Sequence, residues 1–242
     1  MTRRKIGIPI SKVGENSVGL TLSYIEYAAQ FGEPVLLLPD SEFRPDLDLL
    51  LLTGGADVAT DRYGEMPSYF TGKPDIHKEY FDRVMLPRYI ENQTCIMGIC
   101  RGVQTLNIAL GGKLIQHMNH ETNKPDDPYK SVHNIKLNVI NFWNYQEFAP
   151  EISNIRGTER SRTYGVNSRH HQAINPRFIG DGLVVLATHE KDHTIELVAH
   201  ESLLIIGCQF HIEDCVDYDT ITLLDNMLNR IIETKRSILR DE

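Results

Sequence analysis

Thr94-Cys95-Ile96-Met97-Gly98-Ile99-Cys100-Arg101-Gly102-Val103-Gln104-Thr105-Leu106 is the stretch that decides the fold. Its first half, Thr94 to Ile99, reads as a buried strand. Beyond Cys100, Val103, Leu106 and Leu110 fall at i, i+3 and i+7 on one face of a helix that Gly111-Gly112 stops. A strand that turns straight into a helix on a cysteine between Gly98 and Gly102 is the thiol counterpart of the G-x-S-x-G elbow. Such a turn needs neighbours without side chains, and a helix N-terminus favours a thiolate and offers N–H groups to a developing oxyanion. Cys100 is the candidate nucleophile. Its bland alternative is a small buried hydrophobe at a strand end, which leaves both flanking glycines without a reason.

Outward from the elbow, Ile6 to Ile10 and Pro34 to Leu38 read as strands around a helix over Val18 to Phe31, a β-α-β unit. Asp48 to Leu52 is nearly all leucine, as in a strand buried on both faces of a parallel sheet. It ends in Thr53-Gly54-Gly55-Ala56-Asp57-Val58, a tight turn able to present a backbone N–H beside the sulfur. A helix is predicted over Ile76 to Glu91, kinked or divided at Pro87. Strands follow at Leu183 to Thr188, Thr194 to Ala199 and Leu203 to Cys208. A closing helix over Asp217 to Lys235 has acids first and bases last. The stretch 117–161, with a strand-like Val132 to Ile140, fits an insertion over the sheet. The expectation is one α/β domain over 1–242, a mostly parallel central sheet flanked by helices, without repeats or an interdomain linker.

Composition narrows the function. A net charge of −8 argues against a phosphate-neutralising surface, so no nucleic-acid partner is expected. No apolar run approaches the roughly 18 residues of a membrane span, and the apolar stretch behind Met1-Thr2-Arg3-Arg4-Lys5 is too short for a secretory signal. The expected location is cytoplasmic. Four cysteines are too few for a disulfide framework.

A thiol nucleophile needs a base, and of ten histidines His211 stands just past a core strand, Ile205-Ile206-Gly207-Cys208-Gln209-Phe210. Glu213, two residues on, is placed to accept the second imidazole N–H. Cys208, His211 and Cys215 also have a spacing tolerable for zinc, but no fourth ligand is evident; no metal or cofactor is expected.

Leu52 to Val58, Tyr63-Gly64-Glu65, Gly98 to Gln104, Gly111 to His117, Val166-Asn167-Ser168-Arg169-His170-His171-Gln172 and Gln209-Phe210-His211-Ile212-Glu213 together resemble the class I glutamine amidotransferase-like γ-glutamyl hydrolases, the peptidase C26 group. The resemblance keeps motif order over nearly the whole chain and implies a flavodoxin-like sheet. It implies that Cys100 attacks a γ-glutamyl amide, that His211 activates it and protonates the leaving amine, and that Glu213 orients His211. Backbone N–H groups of Gly55 and Arg101 would hold the oxyanion. Gln104 looks like the glutamine that contacts the glutamyl end, and Ser168, His170, His171 and Gln172 like a wall beside the nucleophile. The partner is a small γ-glutamyl substrate; relatives are often dimers, so a homodimer stays open, and nothing in the sequence decides it. A glutaminase subunit passing ammonia to a separate synthetase is the alternative. Two departures stand out: Ile212 replaces the usual proline between histidine and glutamate, and the charged pair before the nucleophile strand reads as His77-Lys78.

Overall fold

The computed structural model describes residues 3–14, 17–39, 41–118, 132–138 and 163–241. Nine strands form one sheet: β1 (Lys5–Pro9), β2 (Glu33–Leu37), β3 (Leu49–Leu52), β4 (Cys95–Ile99), β5 (Val132–Leu137), β6 (Thr163–Asn167), β7 (Leu183–His189), β8 (Ile195–His200) and β9 (Ile205–Cys208). Their order is β2-β1-β3-β4-β9-β8-β7-β5-β6. The first five run parallel, and the last four extend the sheet antiparallel.

Alternation along the parallel strands divides the core into two layers. Leu49, Leu51, Cys95, Met97 and Ile99 pack with α1 (Leu22–Phe31) and the apolar face of the C-terminal helix, Leu224, Met227, Leu228 and Ile231. Leu50, Leu52 and Ile96 pack on the other side with Phe81, Met85, Leu86, Tyr89 and Leu106. All four leucines of β3 are buried, as a strand covered on both faces requires.

The differences from the sequence reading are local. Helix α1 begins at Leu22; Val18–Gly19 instead pairs with Ser11–Lys12 as a short hairpin. The segment over 76–91 divides into α2 (Ile76–Tyr80), a π-turn at Phe81–Met85 and α3 (Leu86–Glu91). Pro87 falls in the first turn of α3 and has no N–H to donate to the turn before it, and the π-turn, in which the Leu86 N–H reaches back to the Phe81 carbonyl, takes up the mismatch ahead of it. Asp75 caps α2 by accepting the His77 and Lys78 N–H groups at 2.8 and 3.3 Å. Helix α4 spans Arg101–Ala109, and α5 spans Tyr218–Asp241. Within 117–161 the described part, β5, lies in the main sheet between β6 and β7 rather than over it; 119–131 and 139–161 lie outside the described residues. Among the described residues no helix is long and apolar enough to cross a membrane.

Candidate active site

Three adjacent parallel strands, β3, β4 and β9, end on the same edge of the sheet. They deliver in turn the Thr53-Gly54-Gly55 turn, Cys100, and the Gln209-to-Glu213 segment. Open parallel sheets bind ligands at this carboxyl edge.

Cys100 has φ 52° and ψ −108°, a conformation that costs a non-glycine residue about 1–3 kcal/mol. Its N–H donates to the Cys208 carbonyl at 2.8 Å, tying the elbow to β9, and α4 starts at the next residue. The flanking glycines are required by contact. A Cβ on Gly102 would collide with the Leu52 carbonyl oxygen, and one on Gly98 would lie 2.6 Å from the Gly102 carbonyl carbon. Strand β3 and the first turn of α4 thus approach backbone to backbone, which sets the Gly54-Gly55 turn beside the sulfur.

His211 Nδ1 lies 2.6 Å from Glu213 Oε1, and the glutamate side chain is almost wholly buried. With Nδ1 committed to Glu213, Nε2 is the ring nitrogen left for Cys100, whose charge acts on the imidazole. Burial opposes a charged imidazole here, but the pairing with Cys100 and Glu213 overrides it and raises the His211 pKa to about 10. The His211 backbone is clamped twice by Asn167: its N–H donates to Asn167 Oδ1 at 2.9 Å, and its carbonyl accepts from Nδ2 at 2.7 Å. Tyr24 Oη accepts the Gly54 N–H at 3.0 Å and sits 3.2 Å from His211 Nδ1. Burial first, then the negative charges of Glu213 and Cys100, push this phenol well above its ordinary range, so it stays a neutral donor. How tightly the parts converge is visible at Gly54, where a Cβ would lie 2.6 Å from Tyr24 Oη, 2.9 Å from His211 Cε1 and 3.7 Å from Cys100 Cβ.

On the other side of the sulfur, Gln209 Nε2 donates toward Cys100 Sγ at 3.8 Å. Its Oε1 accepts from Gln104 Nε2, which also donates to the Gln172 carbonyl. Gln104 is therefore buried one step from Cys100 with its amide nitrogen already engaged. The paired histidines part company. His170 is buried, with Nδ1 3.0 Å from the Gln172 carbonyl and Nε2 3.8 Å from Glu196, which His133 approaches at 3.2 Å. His171 keeps about a third of its side chain exposed and meets Asp57 at 3.0 Å and His117 at 3.2 Å. Ser168 is buried, and Gln172 is buried with Nε2 on the Gln116 carbonyl.

The Arg101 guanidinium turns away from the sulfur to Glu79 and Asp82, both at 2.8 Å, so at the elbow the residue offers only its backbone N–H. Before β4, Lys78 and Glu79 are buried, whereas His77, whose N–H the Asp75 carboxylate caps, is half-exposed. The residues of the zinc alternative have separate partners: Cys208 Sγ bonds the Phe210 carbonyl, and Cys215 Sγ the Gly165 carbonyl. Among the described residues no three metal-ligating side chains gather.

Tyr24, Asn167 and Gln209 carry the site's support and were not singled out from sequence. Asn167 and Gln209 stand inside quoted motifs; Tyr24 lies in the first predicted helix, outside every quoted motif.

Comparison with known proteins finds that the Peptidase C26 family matches residues 13–213. The glutamine amidotransferase-like protein YvdE of Lactococcus lactis is 28% identical over 226 residues, covering 86% of this chain and 89% of that one. A Mycobacterium tuberculosis protein bearing a glutamine amidotransferase name is 30% identical over 211 residues, 82% of this chain and 63% of its own length. The crystal structure of a glutamine amidotransferase from Thermotoga maritima superposes with a TM-score of 0.58 at 15% identity, covering all of this chain and 86% of that one.

Proposed function

Because the chain belongs to the peptidase C26 family, we propose that it hydrolyses a γ-glutamyl amide, with Cys100 as nucleophile, His211 as acid and base, and Glu213 as the orienting carboxylate. One observation carries the reading: the short Glu213–His211 bond leaves Nε2 free on an imidazole that meets, around Gly54, a cysteine held at positive φ on a helix N-terminus. The sulfur attacks the γ-carbonyl carbon, and the carbonyl oxygen takes up negative charge between the N–H groups of Gly55 and Arg101, donors each worth about 3 kcal/mol of barrier. His211 passes its Nε2 proton to the amine nitrogen as the C–N bond breaks, leaving a γ-glutamyl thioester. Water then attacks the thioester carbon, His211 takes its proton, and glutamate departs as the thiolate reforms. Ser168, Gln104 and the His170-His171-Gln172 wall frame the glutamyl end, with the half-exposed His171 nearest to solvent.

The glutamine amidotransferase names of the relatives favour a second reading, a glutaminase subunit feeding a separate synthetase. One experiment separates the two. Purified protein and its Cys100→Ala variant are assayed for glutamate release from γ-glutamyl-γ-aminobutyrate, γ-glutamyl-putrescine, a γ-glutamyl nucleotide amidate and glutamine. Cys100-dependent release from a γ-glutamyl amide other than glutamine is the expected result. Release from glutamine alone transfers the assignment to the second reading, and release unaffected by Cys100→Ala removes both.

A further inference from the structure

Behind the Gly54-Gly55 turn lies a layer of buried charge that the reaction as written does not use. Arg101 and Arg62 are fully supplied with carboxylates: Glu79 and Asp82 on Arg101, Asp82 again on Arg62 at 2.9 Å. Thr105 adds a hydroxyl to Asp82 at 3.1 Å. Lys78 is different. It is almost completely buried, yet among the described residues its Nζ bonds only Thr53, the hydroxyl at 2.7 Å and the carbonyl at 3.3 Å. Among the described residues it makes no ion pair. A buried cation without a counterion is costly, and where one persists a nearby site that develops negative charge is the natural reason.

The geometry supplies that site. The Lys78 stem lies directly under Gly55: a Cβ there would meet Lys78 Cε at 2.9 Å and Arg101 Cδ at 3.6 Å. Gly55 must be glycine because the lysine fills the space where a side chain would go, and its φ of 153° also disfavours other residues. Lys78 and Thr53 line a small cavity with Leu52, Asp82, Arg101 and Thr105.

We propose that Lys78 is a positioning residue of the elbow: its ammonium pins Thr53 so that the Gly54-Gly55 turn stays beside the sulfur, and its uncompensated charge stabilises negative charge on Cys100 and on the oxyanion. Burial, and then the Arg101 charge, push the Lys78 pKa down to about 7, while Asp82, Asp75 and Cys100 pull it the other way. The interaction with Cys100 is mutual, so an ammonium favoured by the sulfur's charge favours that charge in return. Glu79 and Arg62 complete the charged surroundings, and both are already occupied by the pairs above.

The inference rests on Cys100 being the nucleophile, but the test needs no substrate, so the γ-glutamyl reading can fail without it. The rate of iodoacetamide labelling at Cys100 is followed against pH in the whole protein and in Lys78→Met, Lys78→Gln and Lys78→Arg. Lys78→Gln keeps a donor for Thr53 but loses the charge; Lys78→Arg keeps the charge. Expected are midpoints raised by about one pH unit in both neutral variants, a roughly tenfold smaller thiolate fraction at neutral pH, and little change in Lys78→Arg. With a competent substrate kcat falls about as far and KM stays within roughly twofold, because the charge acts on the transition state. Unchanged midpoints in the neutral variants overturn the proposal, as does an equal upward shift in Lys78→Arg, which would make the lysine a packing element. If Lys78→Met does not fold, Lys78→Gln against Lys78→Arg decides on the same readout.

Discussion

Cys100 and His211 stand past the ends of adjacent parallel strands, yet their backbones are held by opposite means. Cys100 is held by steric necessity: a positive φ, glycines at 98 and 102, and a helix whose first turn touches β3. His211 has ordinary extended dihedrals, φ −90° and ψ 93°, and is held by hydrogen bonds exchanged with Asn167, 44 positions away, and by the Tyr24 hydroxyl beside Nδ1, 187 positions away. Cys100 is fixed by backbone strain and backbone-to-backbone packing, His211 by hydrogen bonds to side chains. Damage to the first should cost stability and activity together, and damage to the second mainly activity.

The largest effect is expected at Gly102. Its added side chain must displace the Leu52 backbone, which belongs to the central sheet and cannot yield as a flexible side chain could. Gly102→Val should lower unfolding free energy by about 3 kcal/mol or more and abolish Cys100-dependent turnover. Denaturant unfolding beside an activity assay checks it; a variant of normal stability would break the contrast. Next comes Asn167→Ala. Losing both bonds to the His211 main chain should reduce kcat roughly 10- to 100-fold, about 1.4–2.7 kcal/mol of barrier, with KM little changed. A change confined to KM would mean that Asn167 serves the substrate rather than the base.

This contrast also explains what was legible in the sequence. The elbow is a local pattern, glycines and a helical stripe within about a dozen residues, so Cys100 and its strand could be read directly, as could the all-leucine β3. His211 and Glu213 followed from their position past an apolar strand. Direction and support were not readable: nothing in Leu183 to Ala199 distinguishes antiparallel β7 and β8 from further parallel strands. Nor does anything in Leu22 to Phe31 mark Tyr24, rather than Tyr27, as the tyrosine that reaches the imidazole. The placement of β5 within the sheet depended on pairing with β6 and β7, partners contributed from 26 or more residues away.

A smaller effect sharpens the coupling between the two halves. The His211 pKa is raised to about 10, against an ordinary value near 6.5, by partners that outweigh burial, Cys100 first. A group raised on folding contributes stability that is complete below its unfolded pKa and lost as pH rises through the folded one. The wild-type protein should therefore lose stability between about pH 6.5 and 10, and Cys100→Ala should show a shallower loss with the imidazole titrating lower. NMR titration of the His211 ring together with unfolding at several pH values measures both. An imidazole that titrates identically in the two proteins would show that Glu213 alone sets it and that the halves are uncoupled.

The smallest change asked for is a single oxygen. Tyr24 touches both regions, accepting the Gly54 N–H of the glycine turn while facing His211 Nδ1. Tyr24→Phe keeps the buried ring and its packing in the core, so the hydrophobic contribution is nearly conserved. What is lost is the acceptor for a buried N–H, about 1–3 kcal/mol when left unsatisfied, and a neutral donor beside the dyad. The expected result is a melting temperature lower by roughly 3–6 °C and a kcat reduced about tenfold. If Tyr24 only packs, the variant should match the wild type in both. If it serves the base alone, turnover should fall with the melting temperature unchanged; a joint loss is what a bridge between a strained elbow and a hydrogen-bonded histidine requires.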